Sequence, residues 1–176
     1  MNLDELRIDI IKKQKKGLPF ICASVIIWLL ILIVVSLKMS VQRQNILVFC
    51  CSCVLMPSAW LIGKILRVDI FAKSNELGKL GFLFTLNQFL YILIVMWVFS
   101  AAPEKMVMVY AMVFGAHLLP YSWLYKSISY RVFAIVIPII SLILGCHYSS
   151  FVVAITMIII EVIFVVLLFI ECRKHC

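Results

Sequence analysis

Glu161 is the residue of this sequence best placed to do chemistry. It stands at the midpoint of the apolar run TMIIIEVIFVV, where an ionised carboxylate turned to lipid is strongly disfavoured. A carboxyl at that position must face protein, water or a cation. Two chemistries fit: a proton or cation site that cycles between protonated and charged forms, or a neutral acid that joins helices through a hydrogen bond. His117 is the natural partner, because it also lies near the middle of an apolar run and titrates near neutrality. Tyr110, Phe114, His117 and Tyr121 recur at helical spacing, so they share one semi-polar aromatic face. Pro120 withholds the helical donor that the carbonyl of Ala116 would otherwise receive, which adds an acceptor beside that face. Asn87 and Gln88 complete the candidate site. Adjacent side chains on a helix diverge by about 100°, so the two amides either serve different partners or act as interhelical links, with Tyr91 one turn beyond Asn87.

The cysteines carry less. Their number, seven, is odd, and most fall within or beside apolar runs, against a disulfide framework. Cys50, Cys53, Cys146 and His147 share a depth and carry a metal-ligand composition, yet two separate segments would have to converge on one ion. Cys172, His175 and Cys176 form a similar weak set near the last residues. No metal site and no cofactor is therefore assigned. The sequence holds no Gly-rich phosphate loop, no His-Glu-x-x-His pair and no Gly-x-Ser-x-Gly elbow. An intramembrane enzyme using Glu161 and His117 as acid and base would lack a nucleophile, so the reading leans away from an enzyme.

The elements that position these residues follow from composition. With 65% hydrophobic and 14% charged residues in 176, and a mean hydropathy of +1.17, the chain has more apolar surface than one soluble core can hide. The expected fold class is all-α, a polytopic membrane bundle of six transmembrane helices: Leu18 to Leu37, Ile46 to Leu66, Phe82 to Ala102, Met106 to Tyr125, Val132 to Gly145 and Phe151 to Ile170. The fifth run is the short one, at about 21 Å for a rise of about 1.5 Å per residue. It needs Tyr130 and Tyr148 as interface anchors or a thinner bilayer, and Pro138 can kink it. Residues 1-17 form a basic amphipathic segment, either an interfacial helix or a solvated tail; 18-170 form the membrane domain; 171-176 form a short tail.

Basic residues orient the bundle. Thirteen of the sixteen, among them Arg7, Lys16, Lys64, Lys73, Lys126 and Arg173, fall on one side, and Lys38, Arg43 and Lys105 on the other. The excess predicts cytoplasmic N and C termini and six full crossings. The same residues make anionic headgroups at the cytoplasmic face, not nucleic acid, the expected partner of the net charge of +8. An internal echo is also present: Leu55-Met56-Pro57-Ser58-Ala59-Trp60-Leu61 parallels Leu118-Leu119-Pro120-Tyr121-Ser122-Trp123-Leu124. Either helices one and two repeat as three and four, in a parallel hairpin repeat, or the match is chance among apolar residues. A repeat predicts Trp60 and Trp123 at similar depth near the cytoplasmic interface. Ala111 and Gly115 form a small-x-x-x-small pair that admits a close helix, within the chain or in a second subunit.

The stretch WVFSAAPEKMVMVYAMVFGAHLLPYSWLYKS, with KKQKKGLPFICASVIIW before it, resembles a family of small bacterial membrane proteins of unknown function. The similarity runs along nearly the whole chain. It implies a bacterial cytoplasmic membrane protein and supplies no substrate and no catalytic residue. The functional expectation is thus a small-solute or proton-coupled transporter, or a ligand-binding membrane protein, with a homodimer expected from its small size. The alternative is a non-enzymatic accessory, sensory or immunity-type protein acting through a partner.

Overall fold

The computed structural model describes residues 2–68, 70 and 75–175, with the side chains of Phe82 and His175 excepted. Lys73 of the basic set, and Cys176 with the His175 side chain of the weak metal set, lie outside that description. Helices joined by short linkers make up the described residues, with no strand among them.

The N-terminal segment is a helix, α1 (Leu3–Gln14), started by a capping box. Asn2 accepts from the backbone of Glu5, and the Glu5 carboxylate accepts from the backbone of Asn2. It stops because the chain turns left-handed at Lys15, Lys16 and Gly17, with φ of 44°, 53° and 69°. Glycine meets this conformation without steric cost; each lysine pays about 1–2 kcal/mol. Surrounding groups hold both: the Tyr130 hydroxyl donates to the Lys16 carbonyl at 2.9 Å, Cys172 Sγ to the Lys15 carbonyl at 3.2 Å, and Lys15 Nζ to the Leu66 carbonyl at 2.8 Å. Helix α2 (Leu18–Ser36) then begins with Pro19 in its first turn, where a missing N–H costs nothing.

Two of the following helices are broken ahead of a proline. Helix α3 (Val41–Ser52) tightens at Cys53 and Val54 and resumes as α4 (Leu55–Ile65), which contains Pro57. After α5 (Leu77–Ala101), helix α6 (Met106–His117) tightens in the same way at Leu118 and resumes as α7 (Leu119–Leu124), which contains Pro120. Helices α8 (Ile128–His147) and α9 (Ser150–His175) are unbroken. Six stretches are long and apolar enough to cross a bilayer: Leu3–Ser36, Val41–Ile65, Leu77–Ala101, Pro103–Leu124, Ile128–His147 and Ser150–Lys174. They make the chain a multi-pass membrane protein. The fifth is longer than its apolar core suggests. Its twenty residues span about 30 Å, with Pro138 carried inside the helix, so local thinning is not required.

Helices α2, α6, α8 and α9 form the centre. Helix α6 lies closest to α8, and glycine is the reason: a Cβ on Gly115 would sit 2.6 Å from Pro138 Cδ and 2.7 Å from the Ile137 side chain, and one on Gly145 would collide with Met108. The small-residue pair Ala111 and Gly115 is thus used within the chain. Helix α2 packs against α9, burying Trp28 and Ile31 with Met157, Phe164 and Leu168. Helix α5 is peripheral and exposes Phe89, Leu90, Leu93, Ile94 and Trp97, the apolar surface that lipid solvates. Helix α1 folds onto the end where α4, α7 and α9 finish. Arg7 donates to the Trp123 carbonyl, Lys126 pairs with Asp4, and Asn75 bonds the Leu6 carbonyl and Asp9. That end gathers many of the cations, and α1 and the end of α9 approach there through Lys16 and Glu171.

Candidate functional site

Glu161 faces protein. On α9 it falls in the buried stripe Met157, Glu161, Phe164 and Leu168, at helical spacing, and it is 0% exposed. Its Oε2 meets the hydroxyl of Ser24 on α2, itself buried. Its Oε1 has no hydrogen-bonding partner. Ser24 Oγ also lies 2.7 Å from the Ile21 carbonyl. A serine hydroxyl has one proton and cannot donate to both acceptors. If Ser24 donates to Ile21, it must accept from Glu161, and Glu161 must carry a proton. If Glu161 is charged, Ser24 turns its proton to the carboxylate and releases Ile21. The protonation of the acid is thus written into the direction of a three-member hydrogen-bond chain.

His117 lies elsewhere in the network. It ends α6, its Nδ1 bonds the Phe114 carbonyl, and its ring meets the edges of Phe114 and Tyr121 at 5.4 and 6.1 Å between centroids. No hydrogen bond or ion pair joins it to Glu161 among the described residues. The aromatic face predicted on the fourth segment does form a continuous column. Trp28 touches Tyr110 and Phe114, His117 touches Tyr121, and Tyr121, Tyr125 and Tyr130 lead on to Phe164. Each phenol reaches across to another element. Tyr110 meets Ser52 at 2.7 Å, Tyr121 meets Thr85 at 2.9 Å and Tyr125 donates to Gln14 at 2.8 Å. The hydroxyls therefore tie helices together, while the rings fill the space between them. Asn87 and Gln88 are half-buried on α5 and make no side-chain hydrogen bond among the described residues. The structure thus brings His117, Tyr110 and Tyr121 into one column, joins Glu161 to Ser24, and leaves the two amides apart.

A second polar centre went unread in the sequence. Lys16 is 1% exposed, and its ammonium donates to Glu171 Oε2 at 2.8 Å. Glu171 also accepts from Ser127 Oγ at 2.7 Å, Ser129 Oγ at 2.6 Å and the Ser129 N–H at 2.9 Å. Four donors on one carboxylate offset the loss of water around the pair. The available signal was Glu171 itself, the acid that closes an apolar helix whose other end carries no cation.

No group of three or more His, Cys, Asp or Glu side chains able to hold a metal occurs among the described residues. Six apolar crossings around a buried acid define a membrane protein with an intramembrane carboxyl centre. The chain belongs to a family of unknown function, DUF7010, whose sequence model matches residues 3–171. No curated protein matches it, and no solved structure does.

Proposed function

We propose that this chain binds and releases a proton at Glu161 and couples that step to movement of a small solute across a bacterial cytoplasmic membrane, with both termini cytoplasmic. The observation that carries the reading is the Glu161 carboxyl, wholly buried, with one oxygen on Ser24 and the other without a partner. A carboxyl that serves only as a structural link gains from having both oxygens bonded, since an unmet buried acceptor costs about 1–3 kcal/mol. Here the second oxygen has no partner among the described residues, which leaves it able to take a new donor when charge forms on release of the proton. Reversal of the Ser24 proton supplies part of that response and transmits it to the backbone of α2. The basic excess on one side supports inward termini. The matching breaks before Pro57 and Pro120, and the cations over Trp60 and Trp123, from Lys64 and Arg7, support a hairpin repeat. A homodimer fits the small size of the unit.

The test is reconstitution with a pH dye inside proteoliposomes, together with infrared measurement of the carboxyl stretch. A protonated-carboxyl band that vanishes in Glu161→Gln and changes when pH is stepped, with proton uptake lost in the same variant, supports the reading. A band that stays constant across pH, with equal uptake in both proteins, overturns it.

The second reading, an accessory or sensory protein acting through a partner, is favoured by α5. That helix exposes a broad apolar face while the side chains of Asn87 and Gln88 make no hydrogen bond among the described residues. Crosslinking from α5 to a stoichiometric membrane partner would support it, and capture of only this chain would count against it.

A further inference from the structure

Between α1 and the link from α7 to α8 lies a cavity of about 300 Å³, lined by Ile8, Ile11, Lys16, Tyr125 and Lys126, at the lower limit of small-ligand pockets. Its walls divide by chemistry. Ile11, the Tyr125 ring and the stem of Lys16 are buried, and the Lys16 ammonium is committed to Glu171, so the floor is apolar. Ile8 and Lys126 are exposed and form the mouth. At that mouth two cations share one carboxylate: Asp4 pairs with Lys126 and stands 3.8 Å from Arg7. One positive charge is left in excess, and the buried Nε of Arg7 has no acceptor. Asp4 is itself largely exposed, so its pairing is weak and open to exchange. Only three residues, Lys15 to Gly17, separate α1 from the first residue of α2, which keeps the mouth beside the start of the first apolar helix.

We propose that this cavity binds one phospholipid with an anionic headgroup, its phosphate at Lys126 and Arg7 and its glycerol and first acyl carbons against Ile8 and Ile11. Free phosphate offers the same charge but gains nothing from an apolar floor, so the lipid is the better occupant. A basic face attracts anionic lipid diffusely; a cavity holds a counted molecule. The site is independent of the Glu161 reading and shares with it only the membrane setting.

The experiment uses the full chain, extracted from bilayers of equal phosphatidylglycerol and phosphatidylcholine, with retained lipid counted by native mass spectrometry. One phosphatidylglycerol per chain is expected, preferred over phosphatidylcholine. Lys126→Gln lowers retention about fivefold, the effect of one cation near a membrane surface. Ile8→Trp fills the mouth without changing charge and lowers retention similarly, while helix content by circular dichroism stays at the parent value. Equal retention of the two lipids, or phosphatidylglycerol retained unchanged in Ile8→Trp, overturns the site. Complete displacement by inorganic phosphate overturns the lipid assignment.

Discussion

Lys16 and Glu171, 155 positions apart in the chain, meet through a 2.8 Å ion pair at the end of the bundle where α1, α8 and α9 converge. The lysine lies at the entry to the first crossing and the acid at the exit from the last. Lys16→Met takes the ammonium from a carboxylate that is part-exposed and keeps its three bonds from Ser127 and Ser129, so it is expected to destabilise the protein by about 1–3 kcal/mol. The double variant Lys16→Met with Glu171→Gln recovers part of that loss, because the orphaned charge is gone. A double-mutant cycle on denaturant unfolding, read by tryptophan fluorescence, measures the coupling; additive losses would show that the pair contributes nothing as a pair.

Gly115 and Gly81 give opposite expectations for the same substitution. A Cβ at Gly115 lies 2.6 Å from the ring of Pro138, whereas one at Gly81 lies 3.4 Å from Leu124 Cδ2, an ordinary contact. Gly115→Ala forces α6 and α8 apart and costs about 1–3 kcal/mol. Gly81→Ala stabilises by about 0.5–1 kcal/mol, because alanine restricts the unfolded chain and favours helix. Unfolding midpoints of the two variants, measured side by side, decide the matter.

Ser24 and Glu161 separate stability from function. Ser24→Ala leaves the carboxyl without its one hydrogen-bond partner and costs about 1–3 kcal/mol. Glu161→Leu removes the buried polar group, lets Ser24 keep its bond to the Ile21 carbonyl, and leaves stability unchanged or higher. Proton uptake is lost in Glu161→Leu all the same. A variant that is both folded and fully active would remove the acid from the mechanism.

Tyr125 anchors the end of α1 through Gln14. Tyr125→Phe deletes that bond at a cost of about 1 kcal/mol, and the loss falls locally on α1. Limited trypsin digestion should cut faster after Lys12 and Lys13 in this variant, while the unfolding midpoint of the bundle moves little. Equal cleavage rates would show that the other α1 contacts carry the attachment alone.

The sequence carried the six crossings because apolar runs and basic loops are local signals. It under-measured the fifth, since Ile128 to Arg131 and Cys146 to His147 read as loop by polarity yet continue the helix of α8. It turned Glu161 away from lipid, toward protein, water or a cation, and the structure gives protein. The partner was not legible. Which residue of α2 stands level with Glu161 depends on the relative rotation and height of two helices far apart in sequence, and a lone serine in FICASVIIW announces neither. His117 and Glu161 both fall near the middle of apolar runs, but their side chains are turned to different neighbours. Lys16 read as a topology signal for the same reason: its acid lies on the far side of the chain.

The pairing of α2 with α9 sets a schedule for biogenesis. Four crossings lie between the two helices in order of synthesis, so α2 enters the bilayer long before its neighbour exists. Until α9 arrives, Lys16 has no acid and Ser24 no carboxyl, while Trp28 already has Tyr110 and Phe114 of α6 against it. Closure of this side of the bundle then waits for α9, which docks beside α2 as both polar links form together.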